Sequence, residues 1–214
     1  MVVERSWPPS ALRDSEIKHL EQRVRDVTFS ALCALVQLLD LKDLTTGVHS
    51  SRLVEWSIMI AKLLGLSAEE TRDIEIAAVL HDLGKIGVPD EILKKPSRLT
   101  PAEQRVMKQH PEYGWAVLKN IPGCERASLL ILHHHEAWDG SGYPAQLSGE
   151  SIPLGSRIIA ITDAFDAMTS DRCYRSALSI SEALSRLEKF SGRQFDAKLV
   201  TLLADHVRSE AFAP

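Results

Sequence analysis

Cysteine is scarce in this 214-residue chain: Cys33, Cys124 and Cys173 are odd in number, far apart, and form no CxxC pair. A disulfide framework is thereby excluded and a thiolate metal site disfavoured, leaving each cysteine as a small apolar residue suited to a reducing compartment. Long hydrophobic runs are also missing. The stretch Ala31 to Leu41 is about half the ~20 residues that cross a bilayer, and the opening residues MVVERSWPPS carry no signal-peptide core. The expectation is a cytoplasmic protein with no membrane partner. Nor is there an excess of positive charge: 25 Lys+Arg against 29 Asp+Glu leave a net charge of −4. Bulk electrostatic attraction to duplex nucleic acid is excluded, so any phosphate recognition must be local. Period-two alternation bounded by turn signals, internal repeats and low-complexity tracts are all absent.

What is present is ordinary globular composition, 44% hydrophobic and 25% charged, patterned almost entirely for helices. From Asp14 onward Ile17, Leu20, Val24, Val27, Ala31, Leu35, Leu38 and Leu39 recur at three and four residues, predicting a long amphipathic helix. It either packs on its own domain or faces a partner, a second copy of the chain among them. Leu53 to Leu64 predicts a helix stopped by Gly65. Ser67 with Glu70, and Thr100 with Pro101 and Glu103, form capping boxes that open helices, the second running toward His110. Further helices are expected over Ala116 to Ile121, Glu125 to His135, Gly155 to Ser170, Ser179 to Phe190 and Asp196 to Val207. Gly84 to Arg98 and Ala137 to Pro153 are long, Gly- and Pro-containing irregular segments, a length usually kept for function. The division expected is an N-terminal extension over residues 1–39 and a catalytic domain over 40–214. Residues 1–45 are too short for a receiver or PAS-type sensor, so a stand-alone enzyme or the output half of a longer one is expected.

The histidines concentrate where helices meet those segments: His49, His81-Asp82, His110, then His133-His134-His135-Glu136, followed by Asp163. Nitrogen and oxygen donors without sulfur suit iron, manganese or zinc. No single helix holds such a set, so side chains from several must converge in a bundle core. Taken singly each has a plainer use, His49 as a cap or core residue and Asp163 as a buried acid paired with an arginine. Three consecutive histidines closing the apolar run Leu129 to Leu132 need partners if buried.

The succession of His49, HDLGK at 81–85, IGVPDEIL, KQHPEYG around His110, HHEAWDGSGYP at 134–144 and ITDAFDAMTSDRCYR at 161–175 resembles the HD-GYP family of cyclic di-GMP phosphodiesterases. The resemblance covers most of the chain. It implies an all-α, HD-type helical bundle with a buried metal centre, extended here by the N-terminal helix. It also implies first-metal ligands His49, His81, Asp82 and Asp163, and second-metal ligands Asp82, His110, His134 and His135, with Asp82 bridging. His133 falls outside the HHE pair, and His19 and His206 outside the motifs. Trinuclear members place Glu four residues before the first His; here that residue is Thr45, so two divalent ions are expected, iron or manganese first, zinc or nickel also accommodated.

A two-metal centre generates a nucleophile from bridging water and clamps phosphate oxygens for in-line attack. Asp82 and Lys85 are the expected catalytic residues, Lys85 stabilising the phosphate or protonating the leaving 3′ oxygen. The alternative for Lys85 is an exposed helix-terminal cation. Arg172 and Arg175 resemble the family's phosphate-contacting cations, or else pair with Asp166 or Asp171. Asp166 either hydrogen-bonds guanine or holds an arginine. Tyr143 stacks on guanine or contacts phosphate, unless the GYP loop instead docks a diguanylate cyclase. The expected reaction is hydrolysis of cyclic di-GMP to pGpG, with continuation to GMP open. The alternatives are a cyclic di-GMP receptor without turnover and an HD phosphohydrolase for another nucleotide.

Overall fold

The structure, a computed structural model, describes residues 10–43, 49–171 and 176–211, with side chains described for 14–37, 52–171 and 176–210. Among these the regular elements are α1 (Ser10–Asp43), α2 (His49–Leu63), α3 (Ala68–Leu80), a 3-10 turn (Leu83–Gly87), α4 (Asp90–Leu93), α5 (Pro101–Met107), α6 (His110–Leu118), α7 (Glu125–Leu132), a second 3-10 turn (Gly149–Ser151), α8 (Leu154–Thr169), α9 (Ile180–Lys189) and α10 (Ala197–Ala211). No strand forms among the described residues beyond a single bridge between Ser191 and Phe195, so the all-α expectation holds. No helix among them is long and apolar enough to cross a membrane.

Local chemistry sets the boundaries. Ser67 and Glu70 close a reciprocal capping box at the start of α3, and Thr100 and Glu103 close another at α5. A third, Ser179 with Glu182, opens α9 and was there to be read in the sequence. Gly65, at φ +69, ends α2 in the left-handed conformation that lets the Leu66 N–H reach back to the Ala61 carbonyl at 3.0 Å. One expectation changes. The helix opened at Thr100 stops at Met107 and a new one starts at His110, because Pro111 is tolerated in a first turn and not inside a helix. The Ala116–Ile121 pattern is the far half of that new helix, which ends at Leu118 ahead of Pro122.

Two buried clusters fill the bundle and share α3 and α8. Ile60, Ile74, Ile158, Ile161, Phe165, Leu187 and Leu203 form one; Leu53, Ile76, Leu80, Leu118, Ile131 and Ile159 form the other, joined by Leu32 and Val36 of α1. Ile158 and Ile159 thus face opposite clusters, which is why α8 is apolar on both sides and central. Each such side chain stabilises the fold by about 1.5–3 kcal/mol on full burial. The expected apolar stripe of α1 is present but points outward over its first turns: Ile17, Leu20, Val24 and Val27 are exposed, while Phe29, Leu32 and Val36 meet the body.

Candidate metal centre and its cavity

Three histidines reach one region from three helix ends. His81 follows α3, His110 opens α6, and His134 follows α7. Each places its ring Nδ1 against the backbone carbonyl three residues earlier: His81 on Ala78 at 2.8 Å, His110 on Met107 at 2.8 Å, His134 on Ile131 at 2.6 Å. A carbonyl only accepts, so Nδ1 carries the proton and Nε2 is turned inward as the donor atom for a ligand. The helix end supplies this orientation itself, since its last carbonyls lack intrahelical partners.

The Asp82 carboxylate lies among these nitrogens, 3.3 Å from His81 Nε2 and 3.5 Å from His110 Nε2, with Lys85 Nζ at 2.7 Å. Ring nitrogens of His110, His134 and His135 come within 4.8 Å of one another. Nε2 of both His110 and His134 is buried without a hydrogen-bond partner among the described residues. Buried nitrogens left without partners are costly, and a divalent cation satisfies them, so the donor set fits a metal. Gly84 makes the assembly possible: a Cβ there would collide with the His110 carbonyl and the Gly114 backbone, so only glycine lets α6 approach this close.

Electrostatics agree. Burial opposes charge on His81, but the Asp82 carboxylate and the charge of Asp163 overcome it and raise its pKa to about 9. Burial would raise Asp82, yet Lys85, His81 and His110 hold it well below the usual carboxylate range. Burial, reinforced by neighbouring ring charge, pushes His134 far down and His135 to about 3, keeping both rings neutral, as ligation requires.

Above the histidines lies a cavity of about 410 Å³, with His134, His135 and Asp163 at its floor and Lys108, Asp139, Tyr143, Phe190 and Arg193 toward its mouth. Tyr143 stacks on His135 with centroids 5.0 Å apart, and Lys108 Nζ sits 4.8 Å from the Tyr143 centroid. Burial and the charges of Asp82 and Asp163 raise the Tyr143 pKa, so the phenol stays protonated.

Other expected positions fall elsewhere. His49 is the first residue of α2, its side chain outside the described set; Thr45, Arg172 and Arg175 lie outside the described residues. Asp166 is buried beneath Arg52, whose Nε is 3.4 Å away, and does not line the cavity. His133 Nδ1 faces the Glu136 carboxylate at 3.5 Å without a hydrogen bond, and the ring stays outside the cluster.

Glu136 was missed by sequence reasoning. Its buried carboxylate accepts from the backbone N–H of Ala145 (2.7 Å) and Leu147 (3.1 Å), tying down the 137–153 segment that carries Tyr143. An acid directly after three histidines and before a Gly-rich loop was the available signal. A Cβ on Gly142 would collide with the Glu136 and Ala137 backbone. The segment is pinned again where Trp138 and Asp139 N–H bond the Gln194 and Arg193 carbonyls at 3.1 and 2.8 Å, and where Arg157, itself held on Asp196 at 2.6 Å, donates from Nε to the Ile152 carbonyl at 3.0 Å.

The HD domain family profile matches residues 34–199. The chain is 41% identical over 191 residues to the cyclic di-GMP phosphodiesterase response regulator RpfG of Xanthomonas campestris, covering 88% of this chain and 50% of that protein. It is 41% identical over 177 residues to a cyclic di-GMP phosphodiesterase of Thermotoga maritima, covering 82% and 48%. A 3′3′-cGAMP-specific phosphodiesterase 2 of Vibrio cholerae is 36% identical over 185 residues, covering 86% and 35%. The chain therefore belongs to the HD domain family, in its HD-GYP branch. It spans about half the length, or less, of these relatives. Among solved structures the fold matches the V. cholerae cyclic GMP-AMP phosphodiesterase V-cGAP3 (TM-score 0.68, 24% identity, 86% of this chain and 49% of that one). It also matches the Listeria monocytogenes PgpH HD domain bound to cyclic di-AMP (TM-score 0.59, 16% identity, 85% and 98%).

Proposed function

We propose that this chain is a metal-dependent phosphodiesterase that hydrolyses cyclic di-GMP to pGpG. One observation carries the reading: three helix ends turn histidine Nε2 atoms toward one region, those of His81 and His110 beside Asp82 and that of His134 beside His110 and His135, while His134, His135 and Asp163 line a cavity sized for a nucleotide. His81, Asp82, His110, His134, His135 and Asp163, with His49, would hold two divalent ions. Such ions, when bound, activate water and neutralise phosphate charge. Lys85, held at Asp82, supplies a cation beside the scissile phosphate and a proton for the leaving oxygen. Protonated Tyr143, locked on His135, offers a flat face and a donor to the substrate. Its inward stacking favours substrate contact over docking of a diguanylate cyclase on the same loop. The names of the relatives support the substrate class. The half-buried Cys33 and buried Cys124, both free thiols, suit a reducing, cytoplasmic setting.

The test combines metal analysis of anaerobically purified protein with product analysis on cyclic di-GMP, beside Asp82→Ala. About two ions per chain, with pGpG from wild type only, is the expected result. Tight binding without turnover when iron or manganese is supplied would replace the enzyme with a receptor.

The outward stripe Ile17, Leu20, Val24 and Val27 supports a second copy of the chain as the partner of α1, since its spacing of three, four and three matches a helix-pairing seam. Sedimentation velocity is expected to show a dimer that Leu20→Glu with Val27→Glu converts to monomer; a wild-type monomer at all concentrations would refute it.

A further inference from the structure

The mouth of the cavity carries chemistry that the metal centre does not use. Arg52 is committed to Asp166 and the Thr169 hydroxyl, and Arg157 to Asp196 and the Ile152 carbonyl. Arg193, on the turn between α9 and α10, lines the cavity and has no carboxylate within ion-pair distance among the described residues. Its backbone carbonyl is fixed by the Asp139 N–H at 2.8 Å, so the two residues sit side by side across the two loops. Asp139 accepts from Ser141 N–H at 3.0 Å and Ser141 Oγ at 2.6 Å, bonds that hold its carboxyl below the usual range and keep it ionised. Phe190, 40% exposed despite its size, lines the same mouth.

A phosphate at this point would gain Arg193 but meet the Asp139 charge. A base that offers acceptors on one edge and donors on another suits both. Guanine presents O6 and N7 to a guanidinium fork and N–H groups to a carboxylate, whereas adenine puts its N6 amino group where the fork also donates. A flat ring beside Phe190 completes the match.

Resting on the cyclic-dinucleotide reading above, we propose that Phe190, Arg193 and Asp139 form a guanine subsite at the outer end of the cavity, with Arg193 the specificity-determining residue. It receives the base of the nucleotide that is not at the metal centre. The sequence offered no motif for it, because Asp139 reaches Phe190 and Arg193 only through the loop-to-loop bonds.

The test is calorimetric titration of metal-loaded protein with phosphorothioate analogues of cyclic di-GMP and cyclic di-AMP, which are bound without turnover. Wild type is expected to prefer the guanine analogue by about tenfold or more, the range a bidentate arginine–guanine pair provides. Arg193→Ala is expected to bring the two within about threefold, and Arg193→Lys, which keeps the charge without the fork, to do nearly the same. Arg193 is exposed, so both variants fold. An absent preference in wild type, or an unchanged one in either variant, overturns the subsite. The hydrolase reading fails separately: guanine preference without cleavage of cyclic di-GMP itself would sink that reading and leave the subsite standing.

Discussion

The two walls of the cavity are built by different means. On the inner wall His81, His110 and His134 are each oriented by a carbonyl three residues earlier, in the last turn of a helix. On the outer wall Tyr143, Asp139 and Arg193 ride on loops held by partners nine to several tens of residues distant, through Glu136, Arg157 and Asp196. Locally anchored ligands form wherever their helix forms, so the inner wall is preorganised as soon as the bundle packs. The outer wall exists only after the loops have docked, which makes it the part that variation can retune without disturbing the metal centre.

Breaking the outer wall while sparing the inner one is the strongest way to test that contrast. Arg157→Met leaves the buried Asp196 carboxylate without its cation and is expected to cost about 3–5 kcal/mol in urea unfolding. Metal content should stay at the wild-type value while kcat/KM falls; loss of metal alongside stability would erase the distinction. Glu136→Ala abandons two backbone N–H groups, at about 2–3 kcal/mol, and frees the loop bearing Tyr143, so KM should rise more than kcat falls.

The inner wall is best probed by pH. In chelator-treated protein the His81 pKa of about 9 stands above its ordinary 6.5. The stabilisation from its charged form is therefore full below about pH 6.5 and disappears as pH rises through about 9. Metal loading runs the other way, because the ion must displace that proton: apparent affinity should climb by up to about tenfold per pH unit between pH 7 and 9. A flat profile over that interval would show that His81 is not in the ligand set. The smallest effect is expected remote from both walls. Gly65→Ala, at φ +69 with open space around it, should cost about 1 kcal/mol and leave metal content and kinetics at wild-type values.

The same contrast explains what could be read from the chain itself. The helices, two of the three capping boxes and the histidine positions follow from short-range pattern, and they place His81, His110 and His134 at helix ends without any coordinates. His110 was nonetheless expected at the tail of one helix and sits at the head of the next, because the Pro111 that starts α6 resembles a breaker in the sequence. The face of α1 that meets the body was illegible for a different reason: periodicity shows that a helix has an apolar side, not which neighbour it finds. Glu136 carried a signal, its place between three histidines and a Gly-rich loop, but its role depends on backbone groups nine and eleven residues on, and Arg193 carried no signal because its backbone carbonyl meets Asp139 only across two loops. Asp166, left open between a guanine and an arginine, is paired in the structure with Arg52, a residue to which no motif pointed.

X-ray absorption spectroscopy at the edge of the bound metal reads the donor set itself. A nitrogen and oxygen shell with the outer-shell scattering of several imidazoles and no sulfur is expected, weakened in His134→Ala. A shell of oxygen alone, or one containing sulfur, would rule out the histidine centre.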